Sequence, residues 1–227
     1  MSDRMAELRH VAGTVSRETL RRLEAFEAEF RRWTARINLA APSTLDVLWQ
    51  RHILDSAQLF AIKPQATAWL DLGSGGGFPG AVLAILLIER PGGRIELVES
   101  NNKKAAFLRA VLGGLGAPAT VHVCRIEEAF ARTAPPQIVT ARALAPLPRL
   151  LDLAAPWLAQ DGAGATALFH KGREYAAELA ESGDAWRFDL VEHASKIDPA
   201  GRILEISGLA RVVPAGRGND TLRQAGS

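Results

Sequence analysis

The sequence predicts an α/β protein: a mostly parallel seven-stranded sheet with an antiparallel strand at its edge, preceded by an all-helical N-terminal extension. Three observations carry that prediction. From residue 66 onward, short apolar runs alternate with helical patterns, as in a parallel sheet covered on both faces. The last two strand patterns are joined only by KIDPAG, Lys196 to Gly201, which is too short for a crossover and suits an antiparallel hairpin. Before residue 64 the apolar residues recur at helical spacing and no strand pattern appears.

In chain order, Ser16 to Ile37 is an amphipathic helix with Leu20, Leu23, Phe26, Phe30 and Trp33 along one face. PSTLDVLWQRHILDSAQLF follows as a second helix, with Ser43 and Asp46 forming a capping-box-like start. Strands are expected at 66–72, 94–98, 118–124, 137–141, 163–170, 186–193 and 203–209. Helices fall at 78–89, 102–112, 147–158 and 173–181, with a short helical piece near 126–131. The division expected is therefore a helical extension over 1–63, the sheet domain over 64–212, and a polar, glycine-containing tail over 213–227 that is expected to be disordered.

The 227 residues suffice for one well-filled domain with extensions. A formal charge of +2 with a pI near 9.0 is compatible with a nucleic-acid partner without requiring one. Cys124 is the single cysteine, which excludes an internal disulfide and a CxxC zinc site; in the strand pattern VHVC it reads as a small buried hydrophobe. No signal-peptide core precedes the helices, and the most apolar run, Ala81 to Ile88, is far short of a bilayer span. A reducing, cytoplasmic setting without membrane contact is the expectation.

The most informative stretch is WLDLGSGGGFPGAVLAILL, Trp69 to Leu87. It satisfies two glycine fingerprints. Gly75, Gly77 and Gly80 form GxGxxG, with Glu99 where a dinucleotide site places its ribose acid. Alternatively, Asp71 with Gly73, Gly75 and Gly77 forms D-x-G-x-G-x-G, the pattern of S-adenosylmethionine enzymes. Pyrophosphate needs a bare helix N-terminus, whereas the methyl donor carries a sulfonium and no phosphate. Asp71 beside the loop, Pro79 at the helix start and the lack of a hydride-transfer acid/base pair favour the methyl donor. Glu99, at the end of RIELVE, is placed to accept ribose hydroxyls. A mostly parallel sheet ending in an antiparallel strand is, moreover, the Rossmann-like plan of class I methyltransferases.

Several segments resemble a known family: NLAAPSTLDVLWQRHILDS, LDLGSGGGFPG, LVESNNKKAAFLRAV, ARALAPLPRLL and FHKG. Together they are similar to the ribosomal RNA small subunit methyltransferase G family, also called glucose-inhibited division protein B. The resemblance spans about Leu20 to Leu209. It implies a class I fold with an N-terminal helical extension. It further implies transfer of a methyl group from S-adenosylmethionine to N7 of one guanine, conventionally numbered 527, in the 530 loop of 16S rRNA. Carried over by motif, it places Gly73, Phe78, Ile126, Glu127 and Arg142 at the cofactor.

The chemistry agrees with an N7 acceptor. Methylating an exocyclic amine or a carbon calls for an NPPY-like cage or a cysteine nucleophile, and this chain has no NPPY. N7 already carries an exposed lone pair and no proton, so alignment suffices and no catalytic residue is named. Arg51, His52, Lys103, Phe169 and Lys171 are the candidates for RNA contact, each with a plain structural alternative. In that alternative His52 and Asp55, three apart on a helix, hydrogen-bond each other. The modest charge argues for a folded particle, the small ribosomal subunit, as the substrate; no protein partner is expected, and the protein is expected to be a monomer. Two rivals remain open: an NAD-dependent oxidoreductase using Gly75, Gly77 and Gly80, and a non-catalytic module that binds S-adenosylmethionine or RNA.

Overall fold

The computed structural model describes residues 2–41, 44–159 and 164–212; the expected tail and the helix start at Ser43 lie outside them. Two helices, α1 (Ser2–Ala12) and α2 (Arg17–Thr34), open the chain. Ser16 caps α2 by accepting from the Thr19 amide at 3.0 Å, and Leu20, Leu23, Phe26 and Phe30 form its buried face. The RHILDS segment begins as a π-helical turn, Trp49–Leu54, and continues as α3 (Asp55–Ile62).

Seven strands then form one sheet: β1 (Ala68–Leu72), β2 (Arg94–Val98), β3 (Ala119–His122), β4 (Ile138–Arg142), β5 (Thr166–Lys171), β6 (Trp186–Ala194) and β7 (Arg202–Arg211). Their order is β3-β2-β1-β4-β5-β7-β6. The first five are parallel, and β7 runs antiparallel between β5 and the edge strand β6. β1 is central and buried at every position, as the unbroken apolar and Asp71-bearing run AWLDL requires. β6 alternates in exposure because one face meets solvent. β3 stops at His122 because Val98, the last residue of β2, is its partner; Cys124 is buried but lies beyond the strand, not inside it.

Helices α4 (Gly80–Leu87), α5 (Asn102–Gly114), α6 (Leu147–Leu158) and α7 (Tyr175–Ser182) connect the strands. The piece expected near 126–131 is two 3-10 turns, Ile126–Glu128 and Phe130–Arg132. On one face of the sheet, α1 to α5 share a continuous core in which Phe26, Phe30, Phe78 and Phe107 meet at centroid distances of 5.1–6.2 Å. α4 is buried at all eight positions, which explains why GAVLAILL has no polar face. The other face is covered by α6 and α7 around Trp157 and Phe169. The order reverses at β1 and β4, so the crevice between their C-terminal ends is where such a sheet takes a ligand. None of the described helices is long and apolar enough to cross a membrane.

Candidate active site

The chain leaves β1 at Leu72 and turns through Gly73, Gly75 and Gly77, which have φ of +67°, +55° and +95°. Only glycine adopts these angles without strain. The floor they make is tightly backed. A Cβ on Gly73 would lie 2.6 Å from Leu144, and one on Gly76 would lie 2.9 Å from the Leu39 carbonyl and the Phe30 ring. A Cβ on Gly75, by contrast, would meet only the Gly73 carbonyl, at 3.7 Å.

Above this floor lies a cavity of about 620 Å³, lined by Gly73 to Gly76, Phe78, Glu99, Cys124 to Glu127 and Arg142 to Leu144. Glu99 stands at the tip of β2, where its carboxylate accepts from the amides of Gly75 and Asn101, both at 2.7 Å. Each oxygen keeps a free lone pair, so the group can still receive a ligand hydroxyl. Ile126 presents an apolar side chain, and Glu127 pairs with Arg149 at 2.9 Å on the rim. An adenosine-sized group with an apolar base, a diol and a small polar tail fits this mixture of apolar wall, carboxylate and exposed loop amides.

Asp71 is placed differently from expectation. It is fully buried behind the loop, where Oδ2 accepts from the Gly80 amide at 3.2 Å and Oδ1 from the Thr140 hydroxyl at 2.9 Å. Burial lifts its carboxyl up to about 6, against the hydrogen bonds it accepts. It therefore does not face a sulfonium. It occupies the first amide of α4, the group a pyrophosphate would need, so it disfavours a dinucleotide for a reason other than the one expected. Gly77 is also absent from the cavity wall; it lets the start of α4 and α5 approach, since its Cβ would fall 2.7 Å from Ala81 and 3.0 Å from Leu108.

A second cavity of about 540 Å³ adjoins the first, and the two share His52, Arg142, Ala143 and Leu144. At their seam Arg142, the last residue of β4, reaches across to the π-helical turn. It donates to the Arg51 carbonyl (3.2 Å), to His52 Nδ1 (2.6 Å) and to Asp55 Oδ2 (3.3 Å). The wide turn and the first residue of α3 together present all three acceptors to one guanidinium; π-helical turns are frequent at functional sites. His52 and Asp55 thus do not bond each other; both hold Arg142. The His52 ring stacks on Phe78 at 5.0 Å, and the guanidinium sits 5.3 Å above the same ring. Burial, and then the Arg142 charge, push the His52 imidazole down to about 4. It is neutral, with Nδ1 accepting, so Nε2 carries the hydrogen; that atom is buried without a partner.

The remaining RNA candidates divide. Arg51 and His52 line the second cavity. Lys103 is exposed but off both cavities, whereas its neighbour Lys104 lines the first. Phe169 is completely buried in the core under α6 and offers no face for stacking. Lys171 is held by Glu178 and a carbonyl, so its ammonium is not free for phosphate. Sequence reasoning missed Leu144, Arg149, Asp198 and Arg202, which line one or other cavity. Of these, Leu144 and Arg149 lie in the ARALAPLPR segment that had been singled out. Arg202 reaches the site only through its pairing with Lys171 in the β5–β7 register, which no local pattern encodes. Among the described residues, no group of three or more His, Cys, Asp or Glu side chains converges on a metal site.

A glycine-floored cavity at the switch point of this strand order, with an acidic residue at the tip of β2, defines a class I S-adenosylmethionine-dependent methyltransferase. Solved structures share the fold. Cofactor-bound Rv0187 from MTB aligns at a TM-score of 0.54 and 17% identity, covering 91% of this chain and 96% of that one. A TehB-like SAM-dependent methyltransferase from Corynebacterium glutamicum aligns at 0.53 and 13% identity, covering 81% and 96%. The chain belongs to the GidB family, rRNA small subunit methyltransferase G, which matches residues 19–199. Proteins named ribosomal RNA small subunit methyltransferase G from Chelativorans sp. (strain BNC1) and Brucella canis are each 58% identical to it. They align over 212 and 208 residues, 93% and 92% of this chain and 100% and 96% of theirs.

Proposed function

We propose that this protein methylates N7 of a single guanine in the 530 loop of 16S rRNA, the one conventionally numbered 527, on the small ribosomal subunit in the cytoplasm. The first cavity holds S-adenosylmethionine, which supplies an electrophilic methyl group. The glycine loop, Glu99 and Ile126 bind it, with Glu127 at the rim. The second cavity receives the base, which has to leave its stack or lie in an open loop to enter.

The observation that carries this reading is the seam between the cavities. At that seam the group presented to an acceptor is the Arg142 cation, held by the side chains that could otherwise serve as a base. His52 Nδ1 is engaged by Arg142, and the Asp55 carboxylate is engaged by Arg142 and by Gln58 at 2.7 Å. His170 is neutral through burial; its Nε2 donates to the Asp55 carbonyl at 3.0 Å, and its unpartnered Nδ1 is itself buried. An acceptor that reacts without losing a proton suits such a site, and guanine N7 is one. Guanine O6 lies beside N7 on the same edge, where the Arg142 guanidinium, which lines both cavities, is a donor suited to it. Arg142, balanced by Asp55, orients the base through hydrogen bonds and excludes water.

Mass spectrometry of 16S rRNA from cells with and without the protein tests the reading. One 7-methylguanine should map to the 530 loop and vanish in the deletion; its persistence would count against the proposal. Assembled subunits should be methylated faster than naked 16S rRNA, because a chain of formal charge +2 needs shape as well as phosphates for recognition. Equal rates on both would remove the subunit from the proposal.

A further inference from the structure

The wall between the two cavities is the segment Ala143–Leu147, which leaves β4 and enters α6. Ala143 and Leu144 line both cavities, and Leu144 packs on Gly73 of the cofactor loop. Ala143 has φ +52°, the one positive φ at a non-glycine residue among those described. An alanine held in the left-handed region needs its surroundings to hold it there. Two side chains from outside the segment do so. Lys171, at the end of β5, donates to the Ala145 carbonyl at 2.9 Å. Glu178, on α7, accepts from the Leu147 amide at 2.6 Å, and the two side chains pair with each other at 2.5 Å. The Lys171 side chain is only 7% exposed.

α6 starts after Pro146, which supplies no side-chain cap, so the Leu147 amide would lack an acceptor without Glu178. Lys171 in turn fixes the Glu178 carboxylate and grips the carbonyl two residues upstream.

We propose that Lys171 and Glu178 are positioning residues that clamp the Ala143–Leu147 wall and thereby set the alignment of acceptor and methyl donor. The inference rests on the reading of the two cavities given above. It assigns Lys171 to the geometry of the reaction rather than to contact with RNA phosphate.

Steady-state kinetics on unmodified small subunits with the full-length chain test it, using Lys171→Met, Glu178→Gln and the double variant. The clamp predicts that kcat falls at least about tenfold, within the range a ~1 Å misplacement costs. The KM for subunits and its salt dependence should stay within about twofold, and the double variant should be no worse than the worse single. A higher KM with a salt slope smaller by about one, at unchanged kcat, would make Lys171 a phosphate contact and overturn the clamp. So would folded variants with unaltered kinetics. Glu178→Gln keeps an acceptor for Leu147 and guards against loss of folding in Lys171→Met.

Hydrogen exchange of the unliganded protein gives a readout independent of the acceptor. Amides of Ala143, Leu144, Ala145 and Leu147 should exchange faster in both single variants, with β1 and β4 unchanged; unchanged exchange in the wall refutes the clamp. A wild-type protein that leaves subunits unmethylated while the wall loosens as expected would instead refute the acceptor assignment.

Discussion

Asp71 and Glu178 do the same job at two helices. Each helix begins after a proline that cannot cap it, and each has its first amide accepted by a carboxylate from another element. For Asp71 the consequences are measurable. Asp71→Ala leaves the Gly80 amide without a buried acceptor, at about 1–3 kcal/mol, and leaves the Thr140 hydroxyl only its longer bond to the Leu70 carbonyl at 3.3 Å. Its melting temperature should drop and its affinity for S-adenosylhomocysteine should weaken, as read by thermal melts and calorimetry. Asp71→Asn retains an acceptor and should lose much less. The pH dependence has a definite sign. The native carboxyl titrates near 6 rather than 3.8, so between those values the native state holds a proton that the unfolded chain has lost. Wild-type stability relative to Asp71→Asn should therefore fall as pH rises from 4 to 6, by about 2 kcal/mol. His52 contributes with the opposite sign. Its native pKa, near 4, lies below the unfolded 6.5, so its contribution to stability is lost as pH falls through that window. Denaturant titrations across pH 4–7 on His52→Gln and Asp71→Asn should separate the two slopes.

The glycine loop shows how one element serves two masters. Gly76 faces the N-terminal helices, where a methyl group would strike the Leu39 carbonyl and the Phe30 ring. Gly75 faces the cavity and has room, although its φ of +55° is unfavourable for alanine. Gly76→Ala should thus cost stability through α2. Gly75→Ala should cost about 1–2 kcal/mol of backbone strain and, more tellingly, should reduce cofactor affinity by placing a methyl group at the ligand surface. Comparing melting temperature with calorimetric Kd in both variants distinguishes these outcomes; equal affinity loss in the two would contradict the assignment. The same duality explains what was legible here. D-x-G-x-G-x-G revealed the loop because local backbone angles impose glycine. Which glycine touches the ligand was not legible, because that depends on helices about forty residues upstream.

Across the whole molecule, the helical extension and the sheet share one apolar core. Phe26 and Phe30 of α2 pack on Phe78 of the loop and Phe107 of α5. Deleting residues 1–63 should yield an aggregating chain rather than a trimmed enzyme, because it would bare that aromatic cluster and remove His52 and Asp55 from Arg142. A soluble, protease-resistant fragment over 64–212 would contradict this. Strand positions, the main helices of the sheet domain and the cofactor class were readable from period and glycine spacing, since those express local geometry repeated along the chain. The roles of Asp71, Phe169 and Lys171 were misjudged because residue type and spacing do not say which way a side chain at a strand end points. Motif and periodicity alone determined the sheet, the glycine loop and the family. The tertiary structure decided that Arg142 joins β4 to the π-helical turn, that Asp71 caps a helix instead of meeting a ligand, and that Lys171 grips the wall between two cavities. Those outcomes depend on distances between elements far apart in the chain, which are set only when the core closes.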